Sequence, residues 1–99
     1  MQLILVAKLY KKEYNMSRIE KEIERIKSKP KDYTYDEVKS LLNKLGFYEY
    51  TKGKTSGSRV VFINEEDIKI ELHRPHPSKI IKLYKIKEIL NILNERGMI

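Results

Sequence analysis

The sequence predicts an α+β domain in which a three-stranded antiparallel sheet carries helices on one face, with one further helix ahead of the core. Three observations carry that prediction. Ser17 with Glu20 and Thr34 with Glu37 have the form of capping boxes, each followed by apolar residues at helical spacing. Residues 59–63 and 67–73 are two short strand-like runs around a polar turn. A last amphipathic stripe then closes the chain, so the strands are grouped between helices, a pattern that a two-layer packing satisfies. At 99 residues the chain has the size of one domain, large enough to bury a core without metals or disulfides.

In chain order, residues 1–15 stand apart as an N-terminal extension. Gln2 to Tyr10 has the aliphatic run of a strand and is followed by Lys11, Lys12 and Glu13. It is expected to be an extra edge strand or a product of start-site choice, since Met16 before Ser17 is an equally good beginning. The single domain is expected over 16–99. Its leading helix, at about 17–29, shows a narrow stripe of Ile19, Ile23 and Ile26, and Pro30 disfavours continuation. The helix after Thr34 has a broader face of Tyr35, Val38, Leu41, Leu42 and Leu45 and ends at Gly46. Phe47 to Lys52 is aromatic-rich and suits a strand, and residues 53–57 are rich in turn formers. Arg59 to Ile63 and Asp67 to His73 should form a hairpin through Asn64, Glu65 and Glu66. Pro75 and Pro77 stop the second strand. The last helix should bury Ile80, Tyr84, Ile86, Ile89, Leu90 and Leu93 and finish at Gly97. No internal repeat or low-complexity segment is present.

Composition removes several function classes. There is no cysteine, which excludes disulfide scaffolds, zinc-cysteine sites and cysteine nucleophiles. The one membrane-like stretch, Leu3 to Ala7, is far below the ~20 apolar residues of a span, and no basic residues precede it as in a secretory signal. The expected location is cytoplasmic. Twenty-one Lys and Arg against fourteen Asp and Glu give a formal charge of +7, a field that suits phosphate polyanions or acidic proteins, although codon bias also produces lysine-rich chains. The acidic turn Glu65, Glu66, Asp67 does not read as a metal site, because neighbouring residues on a turn point apart. No metal or other cofactor is expected.

The segment Leu41 to Phe47, then Gly57, Ser58 and Arg59 with Phe62, then His73, Arg74, Pro75, His76 and Pro77 before a terminal helix ending near Gly97, resembles the HicA family. The resemblance spans Thr34 to Ile99 and is most similar to a subgroup with a leading helix. It implies a fold like the double-stranded-RNA-binding domain and the toxin of a toxin–antitoxin pair. It further implies metal-independent cleavage of messenger RNA and a HicB-like antitoxin as protein partner. In the family pattern a catalytic histidine follows Gly-Ser, whereas here Arg59 follows Gly57 and Ser58. His76 matches a second histidine of that pattern and is expected to contact RNA or antitoxin.

The residues themselves suggest where chemistry resides. In a tight hairpin with Ile63 opposite Asp67, Arg59 faces Glu71 and Gly57 faces His73. Val60, Phe62, Ile68, Ile70 and Leu72 then lie under the helices, while Arg59, Lys69, Glu71 and His73 share the open face. Arg59 and His73 become diagonal neighbours able to address one phosphate. An imidazole can withdraw the proton of a ribose 2′-hydroxyl, and a guanidinium can hold the phosphate, giving a 2′,3′-cyclic product without a metal. The ordinary alternatives are that His73 merely ends a strand and that Arg59 makes an exposed ion pair with Glu71. From His73 to Lys87 no acidic residue occurs, and Arg74, Lys79, Lys82, Lys85 and Lys87 supply positive charge near the last helix's start. Arg74, Lys79 and Lys82 are therefore candidate RNA contacts, with Lys52, Lys54, Ser56 and Ser58 from the preceding loop. Tyr48 and Tyr50 alternate on the first strand, where they either stack bases or pack. Three readings fit these residues: an endoribonuclease toxin, a non-catalytic RNA-binding module on the same fold, and a basic protein-interaction domain.

Overall fold

The computed structural model describes residues 17–50, 59–74 and 79–99. The expected N-terminal extension, the loop before the hairpin and the segment around His76 lie outside them. Within the described residues the order is α1 (Arg18–Lys27), α2 (Tyr35–Lys44), β1 (Tyr48–Tyr50), β2 (Arg59–Ile63), β3 (Lys69–His73) and α3 (Leu83–Glu95). The strands form one antiparallel sheet in the order β1-β2-β3, so β2 is central. The expected α+β arrangement with its α-β-β-β-α core is what the chain adopts.

Both capping boxes are present. The Ser17 hydroxyl accepts from the Glu20 N–H and the Thr34 hydroxyl from the Glu37 N–H, while each glutamate reaches back to the cap backbone. These reciprocal bonds satisfy N–H groups that a helix start otherwise leaves open. The α2 helix ends where Gly46 takes a positive φ of 95°, and the Phe47 N–H donates to the Leu42 carbonyl at 2.8 Å. A side chain at Gly46 would be strained in that left-handed backbone.

Parity along the hairpin decides which face is covered. Val60, Phe62, Ile70 and Leu72 are buried together with Val38, Leu41 and Leu42 of α2 and Ile86, Ile89 and Leu93 of α3. The Tyr35 ring lies 6.5 Å from that of Phe62. Burying side chains of this size contributes about 1.5–3 kcal/mol each, which makes this layer the principal source of stability. The leading helix joins the same core, because Ile26 is fully buried, with Ile19 and Ile23 packed at its margin. It packs against α2 and α3, fastened by polar contacts from Arg25 to Glu37 and from Glu22 to Ser40 and Lys44.

The hairpin register and the start and facing of the last helix differ from expectation. The hairpin pairs Arg59 with His73, Val61 with Glu71 and Ile63 with Lys69, so Arg59 does not face Glu71 and His73 does not face Gly57. The turn is wider than a tight one. The Asn64 side-chain oxygen accepts from the N–H groups of Glu66 and Ile68 at 3.0 and 2.9 Å, and Asp67 adopts a left-handed φ of 62°. Strand β3 consequently begins at Lys69. Because the register moves by two residues, every side chain keeps the face that the alternation assigned to it.

The last helix begins at Leu83, later than a face including Ile80 implies. Residues 79–81 run beside the start of α2 and bridge to it at Ile80: the Ile81 N–H donates to the Tyr33 carbonyl at 2.7 Å and the Tyr35 N–H to that of Lys79 at 3.0 Å. Ile81 takes the buried position there. Tyr84 turns outward and is 65 % exposed, contrary to its expected place in the core.

Candidate functional site

The face of the sheet turned away from the helices is built by strand alternation. Cross-strand partners share a face, so Tyr48, Ile63 and Lys69 form one row, Tyr50, Val61 and Glu71 the next, and Arg59 and His73 a third. Val61 and Ile63 are partly covered, whereas Arg59, Lys69, Glu71 and His73 are exposed. Tyr48 and Tyr50 are 55 % and 42 % exposed, so they do not belong to the core. A cationic and aromatic surface results.

Arg59 and His73 are closer than the expected diagonal, because they are direct partners across the β2–β3 pair. Opposed residues in an antiparallel pair bring their Cβ atoms to about 4.5–5.5 Å, within reach of one shared phosphate. The Arg59 Nε also donates to a Glu71 carboxylate oxygen at 2.8 Å. That ion pair was anticipated as face to face and instead runs diagonally, which two long side chains readily span. Both partners are about half exposed.

One end of the site lies where β3 meets the approach to α3. A cleft of about 280 Å³ opens there, lined among the described residues by Leu72, His73, Ile80, Ile81, Lys82, Tyr84 and Lys85. Lys82 is the N-cap of α3, no side chain caps that end, and its first turn contains no acidic residue. Such a helix start favours anions, since backbone N–H groups and the positive end of the helix dipole point outward. Lys85 is less available than the acid-free run suggested. Its ammonium pairs with Glu88 at 2.6 Å and lies 6.0 Å from the Tyr84 ring centre. Lys79 is exposed and has a left-handed φ of 60°.

Arg74 occupies a different environment from the other candidate contacts. Its guanidinium lies 3.5 Å from Glu49 and 5.9 Å from the centre of the Tyr35 ring. Glu49 faces the helix side because it pairs with Phe62, and there it accepts from the Tyr35 hydroxyl at 3.0 Å and pairs with Lys39 at 3.1 Å. Burial pushes its carboxyl upward, but the bonds from Lys39 and Tyr35 outweigh this and hold it below the ordinary value. This cluster ties the end of β3 to β1 and α2. It was not anticipated, although an acidic residue on the inward parity of Tyr48, Glu49, Tyr50 signals that a partner is required. Lys52, Lys54, Ser56, Ser58 and His76 lie outside the described residues.

Fold and surface together define a small basic α-β-β-β-α domain with a helix-covered sheet face and an exposed face bearing an arginine–histidine pair. A family model described as the HicA toxin of bacterial toxin-antitoxin matches residues 35–94, the whole stretch from the start of α2 almost to the end of α3. The chain belongs to the HicA toxin family. Comparisons with curated proteins and with solved structures give no match. Helix α1 precedes the matched region. Among the described residues no helix is long and apolar enough to cross a membrane.

Proposed function

We propose that this toxin-family chain is a metal-independent endoribonuclease that acts on messenger RNA in the cytoplasm and is held in check by a HicB-like antitoxin. The observation that carries the reading is the direct pairing of Arg59 with His73 on the uncovered sheet face, with His73 also lining the cleft beside Lys82. His73 supplies proton transfer and Arg59 holds the scissile phosphate and the charge that grows on its oxygens. Lys79 and Lys82 at the approach to α3, with Lys52, Lys54, Ser56, Ser58 and His76, bind neighbouring phosphates. Tyr48 and Tyr50 offer rings to unpaired bases. In this chain the arginine at the family's histidine position leaves the imidazole to the adjacent strand.

Induced expression tests the reading in cells. Wild-type protein should arrest growth, His73→Ala should not, and a co-expressed HicB-like antitoxin should restore growth and co-purify with the toxin. Growth arrest by His73→Ala at the wild-type level contradicts the assignment. The Arg59–Glu71 ion pair is the observation that favours a non-catalytic RNA-binding domain, in which Arg59 is simply occupied. That alternative predicts salt-sensitive RNA binding with no cleavage product at any pH.

A further inference from the structure

Metal-free cleavage of RNA by its own 2′-oxygen moves two protons. One leaves the 2′-hydroxyl as its oxygen attacks phosphorus, and one arrives at the departing 5′-oxygen. The attacking and leaving oxygens stand on opposite sides of the phosphorus, so one imidazole does not serve both ends of a concerted displacement. A second proton-transfer group is needed, and the same face of the sheet provides it.

Glu71 follows the alternation that puts His73 on the open face, two residues earlier on β3, which separates their Cα atoms by about 7 Å. It is the one carboxylate among the described residues of that face. Its side chain is about half exposed, and one oxygen is held by the Arg59 Nε at 2.8 Å. The guanidinium has further N–H groups on its fork, so it can keep this bond while donating to a phosphate oxygen. An exposed ion pair of this kind does little for a fold, whereas here it fixes a base beside a phosphate-holding group.

We propose that Glu71 is a third catalytic residue, acting as general base at the 2′-hydroxyl while His73 acts as general acid at the 5′-oxygen and Arg59 holds the non-bridging phosphate oxygens. The inference rests on the ribonuclease reading and assigns His73 to the leaving group in place of the 2′-hydroxyl. The 2′-hydroxyl proton passes to the Glu71 carboxylate as the bond from the 2′-oxygen to phosphorus forms. The bond from phosphorus to the 5′-oxygen breaks, and that oxygen takes the proton of the His73 imidazolium. The products are a 2′,3′-cyclic phosphate and a 5′-hydroxyl, and both side chains recover their starting states by exchanging protons with water.

The test uses the full chain and two matched oligoribonucleotides, one ordinary and one with the 5′-bridging oxygen at the cleavage site replaced by sulfur, whose thiolate leaves without a proton. On ordinary RNA, Glu71→Gln and His73→Ala should each slow cleavage by about 10²–10⁴-fold. Glu71→Asp, which keeps a carboxylate, should restore part of the rate that Glu71→Gln loses. On the sulfur substrate His73→Ala should regain most of the wild-type rate while Glu71→Gln stays slow. Wild-type cleavage with an undiminished Glu71→Gln, or rescue of Glu71→Gln by the sulfur substrate, overturns the assignment alone. Wild-type protein that cleaves neither substrate overturns the ribonuclease reading and this inference with it.

Discussion

Replacing Asn64 by alanine should loosen the turn that sets the register of the candidate site. The Asn64 oxygen accepts from Glu66 at 3.0 Å and from the buried Ile68 N–H at 2.9 Å. Glu66 is exposed, so its freed N–H turns to water at little cost. The Ile68 N–H has no such recourse, and an unsatisfied buried donor costs about 1–3 kcal/mol. Adding the modest net loss of the second bond, Asn64→Ala should lower stability by about 2 kcal/mol, or roughly 8–16 °C in melting temperature for a domain of this size. Asn64→Asp retains an acceptor oxygen and should lose less. Thermal and urea unfolding followed by circular dichroism measures the difference. A change in Asn64→Ala below about 0.5 kcal/mol, the scale of an ordinary surface substitution, refutes the claim that this side chain holds the hairpin.

Further predictions follow from the packing, the ion pairs and the helix start. Ile26→Ala in α1 should cost about 2–5 kcal/mol in urea unfolding, because this fully buried side chain makes the leading helix part of the core although it lies ahead of the matched family region. The Glu37 carboxyl is held below its ordinary value of 4.5 by its bonds from Arg25 and Thr34, which outweigh the opposing effect of burial. A folded pKa below the unfolded one means that the stabilisation is complete above the ordinary value and is lost as pH falls through the folded one. Melting temperature should therefore drop as pH falls below about 4.5, and Glu37→Gln should flatten that drop while lowering the melting temperature at pH 7. Lys82→Ala should weaken RNA binding evenly across sequences and reduce the salt dependence by roughly one phosphate contact in a filter-binding titration.

The sheet's two faces were legible because alternation with period two survives a change of register. Val60, Phe62, Ile70 and Leu72 had to lie together, and the wider turn at Asn64 moved the pairing by two residues without exchanging them. The register itself was not legible, since it depends on an asparagine folding its side chain over its own turn, a local choice that competes with a tight hairpin. Helix starts at Ser17 and Thr34 could be read from four residues each, because capping is a short-range bond pattern. The start of α3 was misread because residues 79–81 bond to the beginning of α2, a contact between segments more than forty positions apart. Of the candidate site, the shared face of Arg59 and His73 was foreseen, whereas the engagement of Arg74 by Glu49 and Tyr35 was not. Lysine and arginine counts report charge but not which charges the fold has already neutralised.

Whether this surface cuts RNA without a metal can be measured directly. Purified wild-type protein and His73→Ala should be incubated with an end-labelled transcript in excess chelator, and the product ends identified. Cleavage by the wild type that persists in chelator, leaves 2′,3′-cyclic phosphate and vanishes in His73→Ala is the predicted result. Intact transcript with wild-type protein, or equal cleavage by both proteins, contradicts it.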